Sequence, residues 1–305
     1  MRILQFFLPG KGRRVGLLDA DERIIDITTD EISSVLQLIL TAERERVSIN
    51  VIAAELEEEV AAERVGREYS FAELNVPPDE KTPHLLIPIE PPEVWGCGVT
   101  YLRSAKSRDR ETETDLYTRA YNAERPEIFF KATASRCVGP NEPIYIRSDS
   151  NDTVPEPELA YVLDSRGRII GFTIANDVSA RDIEGENPLY LPQAKIFKGC
   201  CALGPIIATP SEITDPMDLN IRCRIIRDEE LIYEGEANTS QMRRSFEEIN
   251  RFLMRDNPIP TGTVVLTGTG VVLPDDISLE DGDIVEIEID EIGVLSNPVR
   301  KLGEG

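Results

Sequence analysis

Glu156-Pro157-Glu158 leads directly into the apolar residues Leu159-Ala160-Tyr161-Val162. On a strand, residues i and i+2 point to the same face, which puts the two carboxyls about 6–7 Å apart along it. Carboxylates so placed repel each other unless a cation or a donor stands between them. A second run, residues 169–175 (IIGFTIA), ends in Asn176-Asp177. Asp164-Ser165-Arg166-Gly167-Arg168 lies between the two runs, so they read as a hairpin. Pairing Leu163 with Ile169 sets residue 176 opposite Glu156 and leaves Asp177 one position off, an offset that a bulge in the turn corrects. Three carboxylates then meet at one hairpin end. Three oxygen ligands with no His or Cys suit a hard cation, Mg²⁺ or Ca²⁺, and also Mn²⁺. The competing reading is that these are exposed acids in a chain that carries 56 of them.

Downstream lies Asp177-Val178-Ser179-Ala180-Arg181-Asp182-Ile183-Glu184, then Leu191-Pro192-Gln193-Ala194-Lys195-Ile196-Phe197. Lys195 sits among apolar neighbours, so desolvation is expected to lower its pKa; a structural ion pair with a nearby acid is the alternative. Leu266-Thr267-Gly268-Thr269-Gly270 ends a strand in a Gly-rich turn that can offer N–H groups and a hydroxyl to an anion, or can simply be a turn. No Gly-Lys-Ser/Thr follows, so it is not a phosphate loop. The single histidine, His84, excludes a His-rich metal site and reads as a packing residue. Five cysteines, none in a CxxC pair, imply a reducing compartment and hence the cytoplasm, with Cys200 and Cys201 as inert packing.

The elements that must position these groups follow from composition and pattern. Length gives a prior of about two domains for 305 residues. The net charge of −23 argues against nucleic-acid and anionic-membrane partners. No apolar run reaches the ~18–20 residues of a membrane span, and MRILQFFLPGKGRR lacks a small-residue cleavage site, so it is not read as a signal peptide. Residues 3–8, 14–19 and 23–28 read as strands. A helix capped by Thr29 or Asp30 follows, with Val35, Leu36, Ile39 and Leu40 on one face, and residues 51–65 form an acidic second helix. A Pro-rich stretch over 73–93 separates a small N-terminal domain, residues 1–85, from residues 86–305. The larger part is rich in strands, among them 284–289, and contains one clear helix at 241–254. Thr239 or Ser240 is expected to cap that helix, with Met242, Phe246, Ile249 and Leu253 turned to the core. The polar residues 102–125 read either as a lid that orders over substrate or as a plain surface helix. Many strands, few helices and no βαβ rhythm make the class α+β.

Taken in order, Glu-x-Glu-Leu-Ala at 156–160, Asn-Asp-x-Ser-Ala-Arg-Asp at 176–182, Lys195, Leu-Gly-Pro at 203–205 and Thr-Gly-Thr at 267–269 resemble the fumarylacetoacetate hydrolase superfamily. The resemblance covers about 94–300 and implies a mixed β-roll or sandwich, with residues 1–85 as that family's smaller α+β domain and assembly as a homodimer or homotetramer. It also implies that Glu156, Glu158 and Asp177 hold a divalent cation, usually Mg²⁺. Lys195 is then a site lysine, Arg181 and Thr269 contact substrate, and Tyr101 lies at the site edge. The chain departs from the superfamily's hydrolases at Gly98–Lys106, where no His is present, and at Glu184, which replaces a Gln. Residues 182–193, the following Cys200-Cys201, and Pro126–Thr133, which includes Lys131 as a further substrate contact, resemble the 2-keto-3-deoxy-pentonate dehydratase branch. That implies a metal-dependent hydro-lyase of sugar-acid catabolism forming 2,5-dioxopentanoate. In it Lys195 is the base if neutral or the enolate's partner if charged, Glu184 or Glu186 is an acid or base, and Arg181 grips substrate. The alternatives are a C–C hydrolase of an acylpyruvate-like acid, with Lys106 or Glu93 replacing the missing His, and a non-catalytic sugar-acid binding protein.

Overall fold

The computed structural model describes residues 1–63 and 68–303. Its central element is the hairpin of Pro157–Leu163 and Ile169–Asp177. Every residue of the first strand is buried, which is why it reads as an unbroken apolar run rather than as an alternating one. Asp164 closes the turn. Its carboxylate accepts from the N–H groups of Arg166 (2.9 Å) and Arg168 (2.8 Å), and Gly167 takes φ +78°. The expected bulge is present. Leu163 pairs with Ile169 but Val162 pairs with Gly171, so Pro157 faces Asn176 and the Asp177 N–H donates to the Glu156 carbonyl at 2.9 Å.

The hairpin lies inside a 12-stranded mixed sheet. On one side Ile169–Asp177 pairs with Cys201–Ala208, which pairs in turn with Arg2–Leu8 through Arg2↔Ala208 and Ile3↔Ile207. The N-terminal strands Arg2–Leu8, Gly12–Leu18 and Arg23–Asp26 extend the sheet from there, as three antiparallel neighbours. On the other side Pro157–Leu163 pairs with Thr263–Leu266, then Val94–Gly98, then Glu127–Ala132. A second sheet of five strands includes Asn220–Arg227, Glu230–Asn238 and Ile284–Ile289, and its Ile221, Cys223, Ile225, Val285 and Ile287 are buried. The mixed α+β architecture is the expected one.

Three helix boundaries differ from expectation. The first helix is Val35–Glu45, capped by Ser34, whose Oγ accepts from Gln37 N–H at 3.1 Å. Thr29 instead accepts from Ile32 N–H at 3.0 Å in the turn that buries Ile32, so neither Thr29 nor Asp30 is the cap. The second helix spans Ile49–Glu63, and the last residues expected in it lie outside the described residues. The third helix is Phe246–Leu253, not 241–254. Ser245 caps it, its Oγ accepting from Glu248 N–H at 3.2 Å, because residues 242–244 are occupied in extended contacts described below. Met242, Phe246, Ile249 and Leu253 are buried as expected. Residues 102–125 form two short helices, Leu102–Thr112 and Leu116–Asn122, joined by Asp109, whose carboxylate accepts from the N–H groups of Tyr117 (2.8 Å) and Thr118 (2.9 Å). Among the described residues no helix is long and apolar enough to cross a membrane.

Candidate active site

The bulged hairpin brings Glu156, Glu158 and Asp177 together, with one carboxylate oxygen from each lying within 4.8 Å of the others. They line a small, partly open cavity together with Gly268, Thr269 and Lys195. Glu158 is 2% exposed, and its Oε2 accepts from Gly268 N–H at 2.6 Å. The Gly-rich turn does therefore present an N–H to an anion, and the anion is the protein's own carboxylate. Only glycine serves at that position. Its φ is +91°, and a Cβ would stand 2.1 Å from Thr100 Oγ1 and 2.8 Å from the Cys97 carbonyl.

Lys195, at the end of the short helix Leu191–Lys195, is 3% exposed. Its Nζ donates to Ser179 Oγ (2.6 Å), Glu156 Oε2 (2.8 Å) and Asp177 Oδ2 (3.2 Å). Burial alone would lower its pKa, as its apolar sequence neighbours suggest. Asp177, Glu156 and Glu184 outweigh burial and raise it well above the ordinary lysine value. The expected lowering is thus reversed, and Lys195 is a cation in this arrangement. Lys131 is fully buried, ion-pairs with Asp177 from below and donates to the Val178 carbonyl at 2.9 Å. It braces the Asp177 carboxylate and is not among the residues that line the cavity.

Two charged groups at the site escaped the sequence reading. Arg108, from the Leu102–Thr112 helix, reaches Glu156 at 2.8 Å, Glu111 at 3.1 Å and Glu184 at 3.2 Å. Burial opposes its charge, but Glu184, Glu156 and Glu111 hold it firmly protonated. Glu127, the first residue of its strand, faces the cavity beside Gly98, where a Cβ would sit 2.3 Å from Glu127 Oε2. Burial, followed by the nearby Glu184 charge, pushes its carboxyl up to about 7.

The remaining expected residues divide. Glu184 and Thr269 line the cavity. Arg181 does not: the helix that begins at Arg181 turns its guanidinium to Asp152, at 2.7 and 3.2 Å. Tyr101 lies buried under Gly270, off the cavity wall. Glu186 and Lys106 are exposed, and Glu93 accepts from Trp95 Nε1 at 2.9 Å; none of the three lines the cavity. His84 stacks on Phe7 with ring centroids 5.0 Å apart, a packing role. All five cysteines are free thiols, and burial raises Cys97 and Cys200.

The donor set fits a divalent cation. Glu156, Glu158, Asp177, Glu184 and Glu127 face Lys195, Lys131 and Arg108 across one site, so five carboxyls meet three cations. Lys195 and Arg108 hold Glu156 down at about 2 against its burial. Among the described residues Glu158 makes no ion pair, and the Gly268 N–H and the more distant Lys195 only partly offset its burial. Burial, with Asp177 and Glu156 alongside, drives its carboxyl well above the usual range. A divalent cation among the three oxygens relieves that repulsion.

This fold and site define a class. Residues 93–300 match the family described as Fumarylacetoacetate (FAA) hydrolase C-terminal, and the chain belongs to that family. Within it, the chain is 54% identical over 222 residues to 2-dehydro-3-deoxy-D-arabinonate dehydratase of Saccharolobus solfataricus, covering 70% of this chain and 74% of the relative. It is 48% identical over 217 residues to a probable 2-keto-3-deoxyxylonate dehydratase of Haloferax volcanii, covering 71% and 75%. A solved structure of 2-keto-3-deoxy-D-arabinonate dehydratase, complexed with magnesium and 2,5-dioxopentanoate, matches with a TM-score of 0.82 and 40% identity, covering 100% of both chains.

Proposed function

We propose that this protein is a Mg²⁺-dependent hydro-lyase that converts a 2-keto-3-deoxy-pentonate, of the 2-keto-3-deoxy-D-arabinonate type, to 2,5-dioxopentanoate. The carrying observation is the convergence of Glu156, Glu158 and Asp177 beside Lys195 in a chain so similar to a dehydratase structure that contains magnesium and that product. Glu156, Glu158 and Asp177 are the residues that would hold the cation, and when bound it supplies Lewis acidity toward a 2-keto acid.

The chain's own groups account for the proton movements. Water is lost as a proton from C3 and hydroxide from C4, leaving an enone that still carries the C5 hydroxyl. A proton moved from C5 to C3 gives an enol, and a proton moved from that enol's hydroxyl to C4 gives the C5 aldehyde. Such repeated transfers need a group that both takes and gives a proton near neutral pH. Glu127, at about 7 and facing the cavity, meets that need. Lys195, fixed by three acceptors, presents positive charge where negative charge develops on the substrate. Arg108 and Glu184, paired at 3.2 Å in the cavity wall, are the polar groups facing the substrate's hydroxyls, and Thr269 adds a hydroxyl there. Arg181 has no role in this scheme. The proposal extends to a cytoplasmic homodimer or homotetramer with an N-terminal domain of residues 1–85, which light scattering and a truncation series would test.

NMR of the products from a panel of 2-keto-3-deoxy sugar acids and acylpyruvates, with Mg²⁺ and with chelator, decides the reaction. Mg²⁺-dependent 2,5-dioxopentanoate as the single product is expected. Two carbon fragments, or no turnover with cation bound, would overturn the assignment.

A further inference from the structure

The two helices Leu102–Thr112 and Leu116–Asn122 form an excursion that departs from the Val94–Gly98 strand and returns to the Glu127–Ala132 strand. It carries Arg108 and Tyr117 into the cavity wall. Apart from the Arg108 ion pairs to Glu156 and Glu184, its own sequence gives it little hold on the protein. The second helix has no buried residue, and the first buries only Ala105 and Ser107. A polar cap with so small an apolar footing must be held by something else.

Both of its ends converge on three consecutive residues. At the start, Tyr101 forms an isolated bridge with Met242, and Arg243 N–H donates to the Thr100 carbonyl at 3.0 Å. At the far end, the Arg243 guanidinium donates to the Tyr121 carbonyl, to Asn122 Oδ1 (3.0 Å) and to the Asn122 carbonyl (3.3 Å), and lies over the Tyr121 ring at 5.1 Å. Arg244 donates to the carbonyls of Ala123 (2.6 Å) and Glu124 (3.3 Å) while ion-pairing with Glu248. The second helix of the cap thus ends in carbonyls collected by two guanidinia, where its backbone dipole favours positive charge. Arg244 is 4% exposed, anchored by Glu248 on the Phe246–Leu253 helix.

We propose that Arg243 and Arg244 are positioning residues: together they form a latch that closes the loop of chain bearing Arg108, so that the cap's occupancy over the cavity is set from the segment before the Phe246–Leu253 helix. Neither residue touches the cavity, so their effect on substrate passes through the cap. The inference rests on the reading of that cavity as the substrate site.

The test pairs hydrogen exchange with kinetics on the full chain. Arg243→Ala changes an exposed side chain and keeps the fold, and Arg244→Ala removes the buried member. Amide exchange over 102–122 is expected to speed up at least about tenfold in each variant, with exchange in the 157–177 hairpin unchanged. KM for 2-keto-3-deoxy-D-arabinonate with Mg²⁺ should rise about tenfold, as for a site closed only a tenth of the time, with kcat within about threefold. Arg244→Lys should recover part of both effects. Unchanged exchange over 102–122 in both variants overturns the latch, and so does a loss of protection that spreads equally through the hairpin. If turnover is absent in the parent protein, the dehydratase reading has failed, and the exchange arm still decides the latch.

Discussion

Lys195→Met separates a structural cation from a neutral base. The substitution keeps the unbranched stem, one atom shorter, and removes the ammonium that sits 2.8 Å from Glu156 and 3.2 Å from Asp177. Both carboxylates are then left facing each other with one partner fewer, at a site where Lys195 is 3% exposed. Removing one member of a buried charge pair costs about 3–5 kcal/mol. At roughly 2.1 cal/mol/K per residue, unfolding of a chain of 305 residues carries an entropy of about 0.6 kcal/mol/K. The expected drop in Tm is therefore about 5–8 °C, measured by calorimetry in chelator. Mg²⁺ should return part of it, and should raise the Tm of the variant more than that of the parent, because the added cation replaces the lost charge. Turnover should fall at least about a hundredfold. A chelated variant whose Tm lies within about 1 °C of the parent would refute the reasoning, because burying a neutral lysine amine carries no such penalty on removal.

Glu127→Gln should flatten the pH dependence of stability. The carboxyl, pushed up to about 7 from 4.5, holds an extra proton in the folded state. Its contribution is therefore complete below about 4.5 and lost as pH rises through about 7. That amounts to at most about 3–4 kcal/mol, less what water reaching this half-buried side chain removes. Urea midpoints at pH 5 and pH 8 in chelator check it, and equal pH dependence in parent and variant would contradict it. Glu158→Gln should weaken Mg²⁺ binding by calorimetry more than the ~100-fold typical of outer-shell changes. In chelator at pH 8 it should leave stability equal or higher, since the raised Glu158 pKa makes ionisation there unfavourable. Gly268→Ala should cost about 2–4 kcal/mol in urea unfolding, because the added Cβ meets Thr100 and the Cys97 carbonyl at a left-handed φ. Raising NaCl from about 0.05 to 1 M should raise Tm, because a chain of net charge −23 repels itself and salt screens that repulsion.

The hairpin and its three carboxylates were legible because both depend on local rules: a period of two, a turn with Asp164 and Gly167, and a parity offset that a bulge mends. Lys195 was legible as a site residue but not in its charge. Its sequence neighbours are apolar, whereas the groups that fix its proton are Glu156 and Asp177 at the end of the distant hairpin. Arg181 misled for a similar reason. It follows Asp177 closely in sequence, yet its backbone N–H and guanidinium both go to Asp152. Arg108 and Glu127 were missed because their surroundings read as surface. Arg108 lies in a polar helix whose purpose shows only when the excursion folds back. The one local hint for Glu127 was Gly98, a glycine in a strand at the register position opposite it, which makes the room its side chain occupies.

The bulge between Val162 and Leu163 ties the site to a distant stretch of surface. Seven residues separate the turn from the carboxylate end, about 20 Å of strand. Across that distance the side chain that faces Glu156 depends on whether the ladder takes up the extra residue, Ile170, in the bulge. With every residue kept and the pairing run straight through, Asn176 would stand where Asp177 now stands and the second strand would turn over beyond that point. Deleting Ile170 would instead heal the ladder and leave Asp177 in place. A one-residue slip at the bulge therefore exchanges a charge for an amide far from the slip itself, whereas a change absorbed in the loop or bulge preserves the three-carboxylate face.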